Sequence, residues 1–108
     1  MGLFGRGVRR ICAVVAEASA REAAAQLRRA LRETPTVELR LDWLKNDSER
    51  QRFLVWLRRS RPRRAVLIAT CRRREGGGLL TGSVHDELSW LGQAGDAGCL
   101  WCDLEVET

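Results

Sequence analysis

Four short runs rich in β-branched and aliphatic residues, Val8 to Ala16, Thr36 to Leu44, Ala65 to Arg72 and Cys99 to Glu107, are separated by three segments of helical character. This alternation constrains the fold more than any other feature. Strands that alternate with helices build parallel sheets through right-handed crossovers, and successive strands in such chains commonly lie side by side. The order βαβαβαβ leaves two architectures, an open α/β sheet or part of a (β/α)8 barrel. A complete barrel takes about 250 residues, so the 108 residues here form one domain spanning positions 1–108 and supply half a barrel at most.

The helical segments carry their own punctuation. Ser19 is placed to cap the first, with Glu22 three residues on as a capping box, and Ala23, Leu27, Ala30 and Leu31 share one face before Thr34-Pro35 ends it. The second runs from about Asp47 to Ser60, with Phe53, Leu54, Trp56 and Leu57 apolar. Arg58 and Arg59 stand at its carboxyl end, where cations suit the helix dipole, and Pro62 closes it. The third starts at Ser83, has Asp86 and Glu87 in its first turn, and carries Leu88, Trp90 and Leu91 up to the Gly95 to Gly98 break.

The second strand reads Val37-Glu38-Leu39-Arg40-Leu41-Asp42. Period-two geometry predicts Glu38, Arg40 and Asp42 on one face and Val37, Leu39 and Leu41 on the other. Strands of a parallel sheet covered on both sides are normally apolar throughout. An edge strand with one solvated face would explain the exception, and so would a functional face. The fourth run repeats the pattern with Trp101, Asp103 and Glu105 against Cys102, Leu104 and Val106, while the third stays apolar until Thr70 and Arg72. Three adjacent strands are thus expected to turn Glu38, Arg40, Thr70, Arg72, Asp103 and Glu105 toward one face near their carboxyl ends, where barrels do their chemistry.

The series Glu38-Leu39-Arg40-Leu41-Asp42, then Ile68-Ala69-Thr70-Cys71-Arg72-Arg73 leading into Glu75-Gly76-Gly77, then Gly82-Ser83 and Asp103-Leu104-Glu105, resembles type I 3-dehydroquinate dehydratase from Ile11 onward. The resemblance implies the amino-terminal half of a (β/α)8 TIM barrel and a lyase of the shikimate pathway, which feeds aromatic amino acid biosynthesis. Its members remove water from 3-dehydroquinate to give 3-dehydroshikimate, with no cofactor. Carried over by motif, Glu38, Arg40 and Arg72 are the substrate-binding residues, and Asp42, Thr70, Asp103 and Glu105 support them. Guanidinium groups offer paired donors to a carboxylate, and a carboxylate accepts from hydroxyls, so a small carboxylate substrate fits.

The departures matter equally. Family members form an imine with a lysine on the sixth strand, assisted by a histidine from the fifth. The runs found here number four, Lys45 is the only lysine and His85 the only histidine. Lys45 follows the second strand and His85 lies in the first turn of the third helix, so neither matches a catalytic position. No catalytic residue is expected in this chain, and it reads as a truncated, inactive half. The family often has a small polar residue where Val14 stands, and a glutamate in some members aligns nearer Gly76 than Glu75. The competing class is a non-catalytic half-barrel that assembles with itself or with a complementary half, because the outer strands would leave open parallel edges.

Nineteen basic residues against 14 acidic give a formal charge of +5, and Arg58 to Arg64 and Arg72 to Arg74 are strongly basic. Without a nucleic-acid motif or interleaved aromatics, these runs read as solvated surface and no nucleic-acid partner is expected. Cys12, Cys71, Cys99 and Cys102 are expected to be buried structural thiols, since Cys99 and Cys102 lack a second pair or a histidine to complete a metal site, and three residues apart on a strand they point oppositely. The apolar run before Glu17 is too short for a signal peptide, the myristoylation pattern fails at Arg6, and no run reaches the length of a membrane span. A cytoplasmic protein with no membrane association is expected.

Overall fold

The computed structural model describes residues 12–103. Four strands, β1 (Cys12–Val15), β2 (Thr36–Arg40), β3 (Val66–Thr70) and β4 (Trp101–Asp103), alternate with three helices, α1 (Ala20–Glu33), α2 (Asp47–Ser60) and α3 (Val84–Asp96). The sheet is parallel throughout, in the order β1-β2-β3-β4. Four parallel strands alternating with helices are the α/β unit of half a TIM barrel, as the alternation of runs predicts.

Parity separates the two faces of the sheet. Val15, Val37, Leu39, Leu67 and Ala69 are buried, and they pack with Leu27 of α1, Phe53 and Leu57 of α2, and Leu91 and Ala94 of α3 into one continuous core. All three helices therefore lie on the same side. Full burial of a Leu or Phe side chain contributes about 1.5–3 kcal/mol, so this layer accounts for most of the stability. The opposite parity, Val14, Glu38, Arg40, Ile68, Trp101 and Asp103, stays at least partly open.

Each helix starts on a side-chain cap. Ser19 Oγ accepts from Glu22 N at 3.1 Å, Asn46 Oδ1 from Glu49 N at 2.9 Å, and Ser83 forms a full capping box with Asp86. Such caps contribute about 1 kcal/mol each. Glu49 ties two helices together, because its Oε1 accepts from Ala20 N at 2.8 Å and so satisfies an amide at the start of α1. That bond holds the Glu49 carboxyl below its ordinary value.

Several expectations need correcting. β2 ends at Arg40 instead of continuing to Leu44, because residues 41–43 coil into a 3-10 turn that buries Leu41 and Asp42. Arg50 pins that turn: its Nη1 donates to the carbonyls of Leu41 at 3.2 Å and Leu44 at 2.6 Å. Asp42 is accordingly not a strand residue sharing a face with Glu38 and Arg40. β3 ends at Thr70, so Arg72 stands beyond the strand. Of the four cysteines, all free, Cys71 is buried and Cys99 half-buried, but Cys12 and Cys102 are exposed. They sit on the outer strands β1 and β4, which have a described neighbour on one side only. Cys99 precedes β4, so the strand parity expected for the Cys99 and Cys102 pair does not apply. The expected Val8 to Ile11 start of the first strand and the Leu104 to Glu107 end of the fourth lie outside the described residues, and with them Glu105.

Candidate active site

The parallel register stacks the open face into rows. Val14, Glu38, Ile68 and Trp101 are successive partners across the sheet, and one step toward the carboxyl ends Arg40, Thr70 and Asp103 form the next row. Arg72, two residues past Thr70, keeps its parity and reaches across to β4, where Nη2 donates to Asp103 Oδ2 at 2.7 Å. Thr70 is buried and donates from Oγ1 to Glu38 Oε2 at 2.6 Å, fixing the carboxylate between the two rows.

Arg40 is held from below. Its Nε donates to Asp42 Oδ1 at 3.1 Å and its Nη2 to Asp42 Oδ2 at 2.8 Å, a bidentate pair whose acid is completely buried. The charge-assisted bonds to Asp42 raise the Arg40 guanidinium above its ordinary value despite partial burial, Glu38 adds to the effect, and Arg72 opposes it. Glu38, Arg40 and Arg72 therefore lie within one another's field. The sequence reading placed these three together, and the structure brings them together with Thr70 and Asp103.

Other candidates sit elsewhere. Asp42 does not line the open face; it anchors Arg40 and also accepts from Leu79 N at 3.1 Å. Glu75 is exposed and faces Arg73 at 3.7 Å. Lys45 and His85 are both exposed, on the loop before α2 and in the first turn of α3. Neither belongs to the cluster.

Sequence reasoning missed how the loop after β3 is secured. Residues 72–80 fold back on themselves, with Leu80 N donating to Arg72 O and Arg74 N to Leu80 O. Gly78 lies so close to Arg72 that a Cβ there would collide with the Arg72 carbonyl and side chain. Arg73 pairs with Glu87 of α3 at 3.3 Å, both nearly buried. The Gly76-Gly77-Gly78 run was the only trace of this loop in the sequence. The loop is also tied to residues far away in sequence, as in the bond from Leu79 N to Asp42, 37 positions apart.

Chemically, the face offers two guanidinium groups for an anion, a carboxylate held by a hydroxyl to accept from substrate hydroxyls, and an apolar floor of Val14, Ile68 and Trp101. Arg40 directs two of its nitrogens, Nε and Nη2, to Asp42. Groups of this kind can hydrogen-bond carboxylates and hydroxyls.

Comparison with known proteins places the chain in a family. No curated protein matches the chain. Among protein-family models, that of type I 3-dehydroquinase matches residues 11–108, which covers every strand, every helix and the whole charged cluster. On that match, the chain belongs to the type I 3-dehydroquinase family.

Proposed function

We propose that this chain is the substrate-binding half of a type I 3-dehydroquinate dehydratase, a cytoplasmic shikimate-pathway lyase, with Arg40 and Arg72 engaging the substrate carboxylate and Glu38 its hydroxyls. Asp42, Thr70 and Asp103 orient these three. The observation that carries the reading is the convergence of Arg40, Glu38, Thr70, Arg72 and Asp103 from three strand ends onto the helix-free face. Lys45 and His85, the only lysine and histidine in this sequence, lie off this face, so neither is placed to act on a substrate held there.

The alternative, a non-catalytic half-barrel that assembles with itself, draws support from one feature: Trp101 is 66% and Val14 48% exposed on the same open face, and apolar surface of this kind favours association. Two measurements separate the readings. Titration calorimetry with 3-dehydroquinate should show weak binding that Arg72→Ala abolishes, and borohydride reduction of the same mixture should leave no adduct at Lys45. A chain that binds no 3-dehydroquinate yet sediments as a stable dimer would favour the assembly module, and a covalent adduct at Lys45 would overturn the assignment of that residue.

A further inference from the structure

The end of the sheet opposite the charged cluster carries a second concentration of arginine. The last turn of α2 and the connection that follows it read Arg58-Arg59-Ser60-Arg61-Pro62-Arg63-Arg64. All five arginines are exposed, and none forms an ion pair with a described carboxylate. The helix dipole explains Arg58 and Arg59, which fall in the last turn of α2. Arg61, the cap itself, also serves the helix end, its Nε donating to the Arg58 carbonyl at 3.3 Å; neither role explains Arg63 and Arg64, which lie beyond the cap.

Backbone geometry makes their presence more telling. Arg61 caps α2 at φ 42° and Arg64 sits at φ 60°, and these are the two positive-φ residues other than glycine among the described residues. A side chain in the left-handed region costs about 1–2 kcal/mol, and glycine is the usual occupant of such a cap. Arginine twice holds a position in one five-residue connection where glycine would relieve strain. Strain of this kind is kept where the side chain has work to do.

The loop also separates two clefts. On one side Arg58 and Arg61 line a cleft of about 220 Å³ with Asp96, Ala97 and Gly98 from the end of α3. On the other, Arg63 and Arg64 meet Arg32 and Glu33 from the end of α1 around about 250 Å³. Each cleft has room for a phosphate group or two, and the arginines that line them stand on either side of Pro62. A single small anion would occupy one cleft; a chain of linked anions would cross the loop and use both.

We propose that the 58–64 loop is a docking site for a chain of linked phosphates, with inorganic polyphosphate as its ligand. The arginine density decides between phosphate sources. Five charges in seven residues match an inorganic chain, whose phosphates are directly joined, better than a nucleic acid, whose phosphates are spaced by sugars. The loop and both clefts lack an aromatic side chain on which bases could stack. The site lies at the amino end of β3, away from Arg40 and Arg72, and does not depend on the dehydratase reading.

The test uses the full chain and two fluorescently labelled probes with equal numbers of phosphates, inorganic polyphosphate and oligothymidylate, followed by polarisation across a salt series. Polyphosphate should bind more tightly than the oligonucleotide, with log affinity falling linearly in log salt as several counterions are released. The double variant Arg61→Gly, Arg64→Gly should lower polyphosphate affinity at least about tenfold, roughly 1.4 kcal/mol, while its melting temperature holds or rises because two strained residues are relieved. Loss of binding at undiminished stability distinguishes a docking role from a structural one. Unchanged affinity in the double variant would overturn the proposal, as would tighter binding of oligothymidylate, which would assign the loop to nucleic acid. Saturating 3-dehydroquinate should not displace the probe.

Discussion

Asp42→Ala tests the idea that one buried carboxylate organises the charged face. The substitution removes both bonds from Arg40 and the acceptor for Leu79 N. Breaking a fully buried ion pair by deleting one partner costs about 3–5 kcal/mol. Asp42 is completely buried but the Arg40 side chain retains 21% exposure, so water recovers part of its charge solvation and the expected loss falls to about 2–4 kcal/mol. Leu79 is exposed, so its freed N–H adds little. With a urea m-value of about 1.5 kcal/mol/M for a domain of this size, the unfolding midpoint should drop by roughly 1–3 M. Asp42→Asn, which still accepts from Leu79 N and from one Arg40 nitrogen, should lose about half as much. A midpoint for Asp42→Ala within about 0.3 M of the parent, measured by tryptophan fluorescence in urea, would refute the anchoring argument.

Three further outcomes follow from the packing of Gly78 and of the cysteines. Gly78→Ala places a methyl group against the Arg72 backbone, which cannot swing aside as a side-chain tip would, so the loop must shift at a cost of about 1–3 kcal/mol. Calorimetry should show 3-dehydroquinate binding weakened beyond what Gly77→Asn, at an open left-handed position, produces. Alkylation at neutral pH followed by peptide mass spectrometry should label exposed Cys12 and Cys102 and spare Cys71 and Cys99, whose thiols burial pushes up to about 12. Because these folded-state values lie above the ordinary 9.0, the thiols' contribution to stability is complete below about pH 9 and is lost as pH rises toward 12. Cys71→Ala should flatten that alkaline decline, and an unchanged slope would show that the thiol is not the titrating group.

Much of the architecture was legible because its signals are local. Ser19 and Ser83, and the Pro35 and Pro62 that follow helix ends, mark boundaries through their own backbone chemistry, and α2 spans the same residues that its apolar spacing and flanks suggest. The pairing of Glu38 with Arg40 on one face follows from period two alone. Alternation fails as a guide where the backbone leaves the strand: Leu41 and Asp42 continue the pattern in sequence, yet both turn inward because Arg50, eight positions beyond Asp42, collects the carbonyls of the turn. Cys12 and Cys102 misled for a similar reason. Apolar neighbours in sequence do not bury a residue whose strand lies at the margin of the sheet. The contact of Gly78 with Arg72 arises only when the loop folds back, and no spacing rule announces it.

The division of labour between the sheet's two parities bears on how such a protein can change. Residues that hold the helices, Val37, Leu39, Leu67 and Ala69, and residues that present chemistry, Glu38, Arg40 and Thr70, alternate along the same strands without sharing a face. Substitutions on one set are thereby shielded from the other. A lineage could exchange the arginines and the glutamate, and so drift toward a different anion, while the core that keeps the chain folded remained untouched.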